Sequence, residues 1–191
     1  MKKAYLHVHI VTVDDQDHVW PDGGILYENG TITAVGESAH VEQIARERGA
    51  EILDGGGKYL FPGLVNTHTH LYQELTKGLG SDLSLEEWFP KAMAPVGAAL
   101  REEHMEAGVA LGLLEAIHSG VTTVADYMQH QPVPGLGRVE LDVAKQMGVR
   151  MVYGRGYRDI GRAEVVEDTA HIFADVEDLK ARYVQPDRMI T

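Results

Sequence analysis

No cysteine occurs among the 191 residues. Disulfides, thiolate metal sites and cysteine nucleophiles are therefore all excluded. No stretch approaches the ~18 apolar residues needed to span a bilayer. The N-terminal run Met1-Lys2-Lys3, followed by Ala4 to Ile10, is too short and too polar for a secretory signal. A cytoplasmic protein without a membrane partner is expected. Positive charge is scarce as well: 17 Lys and Arg stand against 29 Asp and Glu, a formal charge of −12. A phosphate backbone would be repelled by that balance, which argues against nucleic acid as a partner. Internal repeats are also missing. The chain is 44% hydrophobic, enough to build a packed core.

The first sixty residues read as small β structure. Tyr5 to Val13 alternates, with Leu6, Val8 and Ile10 on one face and His7 and His9 on the other. Asn29-Gly30 between two apolar strands is a strong hairpin signal. Val41 to Arg48 reads as a short helix stopped by Gly49, and Glu51 to Asp54 as a returning strand. Gly55-Gly56-Gly57 reads as a tight loop. It is not a phosphate loop, because no Lys-Ser/Thr and helix follow.

From Phe61 the rhythm changes to strand, loop, helix. Leu64 to Thr67 reads as a buried strand. Ser84 and Glu87 form a capping box that opens a helix through Trp88 and Phe89, with Pro90 and Pro95 expected to interrupt it. A helix over Glu102 to Ser119, a strand over Val121 to Ala125, a helix over Val139 to Met147 and a strand over Val149 to Tyr153 follow. Glu164 to Tyr183 reads as a long acidic helix, and residues 188–191 as the start of a fourth strand. Helices alternating with buried strands predict a parallel sheet, either half of an eight-fold barrel or a small open sheet. The distinctive polar residues lie after the strands, as expected of an active site at the C-terminal ends of barrel strands.

His68-Thr69-His70 is the most informative of these. Alternate residues of an extended strand project to the same side, so both imidazoles can reach one metal ion. Imidazole suits zinc, iron, copper or nickel, and two such ligands make half of a tetrahedral shell. His7-Val8-His9 has the same spacing, but it lies mid-strand with no following loop, and it reads as a solvated sheet face.

The run Pro62-Gly63-Leu64-Val65-Asn66-Thr67-His68-Thr69-His70, after a β-rich segment, resembles the metal-dependent amidohydrolase superfamily. It is most similar to the branch that deaminates nucleobases and pterins and hydrolyses s-triazines. Leu71-Tyr72-Gln73, Lys77-Gly78, Leu83 to Phe89 and Ser119 to Asp126 support the resemblance. It implies an α/β chain holding the first half of a (β/α)8 TIM-like barrel, preceded by part of a small β-sandwich domain. Residues 1–60 would belong to the sandwich. Residues 61–191 would carry barrel strands one to three, their helices and the start of strand four. His68 and His70 would bind one divalent metal, zinc first and iron as the other candidate. The remaining ligands and the catalytic proton-transfer residues are expected beyond Thr191, so the 191-residue chain by itself is expected to be inactive.

The implied reaction is hydrolytic deamination of a small heterocycle by metal-activated water, the substrate being a guanine-like purine, an oxidised purine or a pterin. Hydrolysis of an s-triazine with loss of chloride or amine is the alternative within that chemistry. A non-catalytic fragment or assembly module is the alternative outside it. The other implied partners are further copies of the chain in a homo-oligomer, or a complementing C-terminal segment. By the same resemblance Gln73 faces the substrate ring, with Tyr72 beside it, and either could instead be an ordinary loop residue. Trp88 could stack on a planar ring or simply pack the loop helix. Asp126 could brace a neighbouring loop or touch substrate. Arg155, Tyr157 and Arg158 are assigned to structure or to the rim, and His104, His118, His130 and His171 to the surface.

Overall fold

A computed structural model describes residues 1–129, 131, 134–158, 166–186 and 189–191. The chain divides into two compact units, Met1–Pro62 and Gly63–Thr191. Among the described residues, no helix is long and apolar enough to cross a membrane.

The first unit is one mixed sheet covered by a helix. Strands β1 (Lys2–Val11), β2 (Val19–Glu28) and β3 (Thr31–Glu37) form an antiparallel meander, followed by helix α1 (Ser38–Glu47) and strands β4 (Glu51–Asp54) and β5 (Tyr59–Leu60). The order is β3-β2-β1-β4, with β4 and β5 both pairing parallel with β1. Alternation in β1 places Ala4, Leu6, Val8 and Ile10 inside. Ala4 and Leu6 join Leu26 of β2 and Val41 and Ala45 of α1 in a small core. The β2–β3 hairpin turns at Asn29 (φ 49°) and Gly30 (φ 82°), the left-handed pair that Asn-Gly supplies at low cost. At Gly55 a Cβ would sit 2.1 Å from Val8 Cγ1, so only glycine lets that loop cross β1.

The second unit begins with β6 (Leu64–Thr69), a 3₁₀ turn over Leu71–Thr76, and helix α2 (Leu85–Trp88). A π turn over Phe89–Met93 leads into α3 (Ala94–Ala99). Then come α4 (Glu102–His118), β7 (Val121–Met128), α5 (Leu136–Met147), β8 (Arg150–Arg155) and α6 (Thr169–Tyr183). The sheet runs β6-β7-β8, all parallel. The last residues add a fourth position: Met151 pairs parallel with Ile190. The Met151 N–H donates to Met189 O, and the Thr191 N–H to Met151 O. The core lies between this sheet and its helices, with Met105, Val109 and Leu113 of α4 packed with Val124, Met128 and Met151 from the strands and Leu141 from α5.

Several expectations need correction. Leu64 and Val65 are not buried; they are 59% and 61% exposed. The reason is that, among the described residues, β6 has one hydrogen-bonded neighbour, β7, and lies at the sheet edge. Pro90 and Pro95 do not end the helical run. Lacking its N–H, Pro90 sits in the π turn, where the Ala94 N–H reaches back to Phe89 O, and Pro95 occupies the first turn of α3. Helix α5 starts earlier than the apolar spacing indicates, at Gly135 (φ 95°) as N-cap. Helix α6 starts later, because Asp168 caps it by accepting the His171 N–H at 3.0 Å. Glu164, the expected start, lies outside the described residues, as does His130.

Candidate metal and substrate site

His68 is the last residue but one of β6, and His70 directly follows the strand at the entry to the 3₁₀ turn. The β6–β7 pairing slips between Asn66 and Thr69, and the Asn66 Oδ1 accepts the His68 N–H at 3.1 Å within that slip. An irregularity of this kind re-aims side chains at a strand end. The two imidazole centroids are 5.0 Å apart, with the rings at 79° to each other. His70 Nδ1 lies 2.7 Å from the carbonyl oxygen of Tyr127, in β7. Only an N–H can pair with a carbonyl, so this contact assigns the proton to Nδ1 and leaves the Nε2 lone pair free. That is the tautomer a metal-binding histidine needs, held by the kind of partner such histidines commonly have. Among the described residues, no group of three His, Cys, Asp or Glu side chains converges on one point. The fit is therefore to two ligands of a shell, both nitrogen.

Beside His70 lies an open cavity of about 320 Å³, lined among others by Gln73, Glu74, Lys77 and Trp88. The structure thus brings His70, Gln73 and Trp88 together, while Tyr72 packs below with 3% exposure. The Gln73 and Gln129 side-chain amides both donate to the Tyr72 hydroxyl at 3.1 Å. Burial raises the Tyr72 phenol above its ordinary value, keeping it neutral. The Trp88 indole N–H donates to Leu79 O at 3.2 Å, which fixes the ring against the cavity wall. Lys77 ion-pairs with Glu74 of the 3₁₀ turn at 2.5 Å and with Glu115 of α4. The Glu115 hydrogen bond, chiefly, raises its ammonium above the usual value.

The alternatives left open for Asp126 resolve toward bracing. It is 2% exposed, and its Oδ1 accepts the Leu71 N–H at 2.6 Å, one residue after His70. Arg155 is structural: its guanidinium pairs with Glu167 at 2.6 Å and Asp175 at 2.9 Å. Tyr157 is exposed, and so are His104, His118 and His171. In the first unit the His7 ring meets Asp22 at 3.1 Å, and His9 stacks on Tyr59.

Sequence reasoning missed two features. Glu140 of α5, completely buried, faces Asp126. Gly108 and Gly112 let α4 approach the 3₁₀ turn: a Cβ on Gly108 would lie 3.1 Å from Tyr72 O, and one on Gly112 would lie 2.7 Å from Leu71 Cδ2. Two glycines four apart inside a helix are a readable signal of close packing. A single glutamate on an amphipathic helix carries no comparable signal.

The profile of the amidohydrolase family matches residues 59–186. The chain belongs to the amidohydrolase family. The 5-methylthioadenosine/S-adenosylhomocysteine deaminase of Bacillus cytotoxicus is 32% identical over 191 residues, a match covering all of this chain and 42% of that protein. A homologue of the same name from Bacillus cereus is 31% identical with the same coverage. Among solved structures, an atrazine chlorohydrolase variant from Arthrobacter aurescens, complexed with zinc and atraton, superposes with a TM-score of 0.85 at 22% identity. That match covers 98% of this chain and 45% of the other. The guanine deaminase of C. acetobutylicum with bound guanine gives 0.82 at 18% identity, covering 100% and 45%. The chain therefore spans less than half the length of the family members it matches. Over its whole length the chain shares the mixed α/β fold of part of those structures.

Proposed function

We propose that the chain supplies the first metal ligands and part of the substrate pocket of a hydrolytic deaminase acting on an amino-substituted purine. His68 and His70 hold one divalent metal, zinc by preference and iron as the other candidate. When bound, such a metal supplies a water acidified enough to be hydroxide near neutral pH. The work of the protein's own residues is to place the ring. The Gln73 amide offers a donor and an acceptor to a heterocycle edge, and Trp88 covers a planar face. Tyr72 anchors Gln73 and Gln129 from beneath. The observation that carries this reading is the 2.7 Å bond from His70 Nδ1 to Tyr127 O beside a cavity shared with Gln73 and Trp88.

The names of the relatives guide the substrate class. Methylthioadenosine and S-adenosylhomocysteine, from the proteins about 30% identical, join guanine-like purines as leading candidates. An s-triazine losing chloride or amine is the second reading, favoured by the likeness to the triazine enzyme. The test uses the whole zinc-loaded protein with 5′-methylthioadenosine, S-adenosylhomocysteine, guanine and a chloro-s-triazine, scoring ammonia and chloride. Ammonia from a purine, lost in His70→Ala, is the expected result. Turnover of the triazine alone moves the assignment to the second reading. No turnover of any of the four overturns both.

A further inference from the structure

We propose that Glu140 is a positioning residue for the histidine pair, an O–H donor that holds the Asp126 carboxylate on the backbone following His70. This deepens the metal-site reading above and rests on it. Asp126 Oδ1 accepts the Leu71 N–H at 2.6 Å. Its Oδ2 and both carboxyl oxygens of Glu140 are buried and meet no N–H or O–H donor among the other described residues. Two acidic side chains facing each other in a dry site cannot both be carboxylates, since neither could then donate. One proton between them turns the contact into a strong O–H···O⁻ hydrogen bond.

Geometry indicates which residue carries that proton. Burial raises the Asp126 carboxyl above its ordinary value, but the hydrogen bonds from Glu140 and from the Leu71 N–H, the latter at 2.6 Å, pull against that and favour its charged form. Glu140 has no such support: complete burial, then the Asp126 charge, push it well above the usual carboxylate range. The order is thus Glu140 O–H to Asp126, and Leu71 N–H to Asp126. The next residue along β7, Tyr127, receives the His70 Nδ1–H. Two consecutive residues of β7 therefore grip two consecutive residues at the mouth of the site, and Glu140 fixes the rotation of the first grip. Without that donor, Asp126 Oδ2 is left charged and unpaired in the core, and its carboxylate is free to turn away from Leu71.

The test compares Glu140→Leu with Glu140→Gln in the whole protein. Leucine keeps the volume without a donor, and glutamine can give an N–H to Asp126 Oδ2. The first readout is amide hydrogen exchange at Leu71 without metal. The second is cobalt(II) affinity, followed by visible absorption. In Glu140→Leu, Leu71 exchange is expected to accelerate by about tenfold, and cobalt binding to weaken by about 10–100-fold. Glu140→Gln should match the wild type in both. Wild-type behaviour of Glu140→Leu, or equal losses in both variants, overturns the proposal. Should the leucine variant not fold, Asp126→Asn and Asp126→Ala replace it. Asparagine keeps an acceptor for Leu71 and should retain its protection, which alanine should lose; equal protection in the two overturns the proposal. Failure of the wild type to bind cobalt defeats the metal reading, while the exchange readout still decides the role of Glu140.

Discussion

At the scale of single residues, a histidine becomes a useful ligand when its second ring nitrogen is committed elsewhere. His70 meets that condition through Tyr127 O. His7 and His9 share the spacing but not the surroundings: His7 sits at φ 56° in a pairing irregularity of β1, and His9 stacks on Tyr59 at 4.9 Å. Elemental analysis of the purified whole protein should therefore find stoichiometric metal in the wild type, His7→Ala and His9→Ala, and substoichiometric metal in His68→Ala and His70→Ala. Equal metal loss across both pairs would show that the cavity beside His70 does not select the site. The histidine pair proposed as ligands was legible because its members are two residues apart at one strand end. Tyr127 and Asp126 were not recognisable as their support, since those contacts span more than fifty positions, and Glu140 acts only through Asp126.

At the scale of elements, α4 shows how a helix can give up propensity for position. Glycine costs about 1 kcal/mol against alanine in an exposed helix, yet Gly108 and Gly112 lie in the buried face of α4. That face supports the 3₁₀ turn carrying Tyr72 and Gln73. In Gly112→Ala the new Cβ would lie 2.7 Å from Leu71 Cδ2 and 2.8 Å from Glu74 Cγ. Urea unfolding should show net destabilisation of about 1–3 kcal/mol, overpacking outweighing the gain in propensity. A stabilised Gly112→Ala would mean the turn yields freely and α4 does not set its height. The capping box at Ser84 and Glu87, read from sequence, is present. The fate of the two prolines was not readable, because a π turn absorbs the missing N–H without ending the run.

At the scale of the molecule, the second unit is a parallel sheet with an open margin. Leu64 and Val65, consecutive in β6, point to opposite faces, and both are exposed. Among the described residues, one row of β6 backbone groups has no strand beside it. Edges of this kind pair with other chains, and exposed apolar patches associate. Sedimentation velocity on the 191-residue chain should therefore show concentration-dependent association, with Val65→Lys shifting it toward monomer. A monomeric wild type at high concentration would show that β6 is protected in solution.

The sequence by itself determined the family, the alternation of strands and helices, the placing of two histidines two residues apart at a strand end, and the turns at Asn29-Gly30, Gly120 and Gly148. These depend on residues near one another in the chain, where period, capping and backbone freedom act directly. Tertiary structure alone decided that Asp126 braces the backbone after His70, that Glu140 faces it, that Tyr127 O meets His70 Nδ1, and that Leu64 and Val65 are open to solvent. Each of these is a matter of which distant groups share a water-poor space or lack a neighbour, and the cost of an unpaired buried carboxyl exists only once the chain has folded around it.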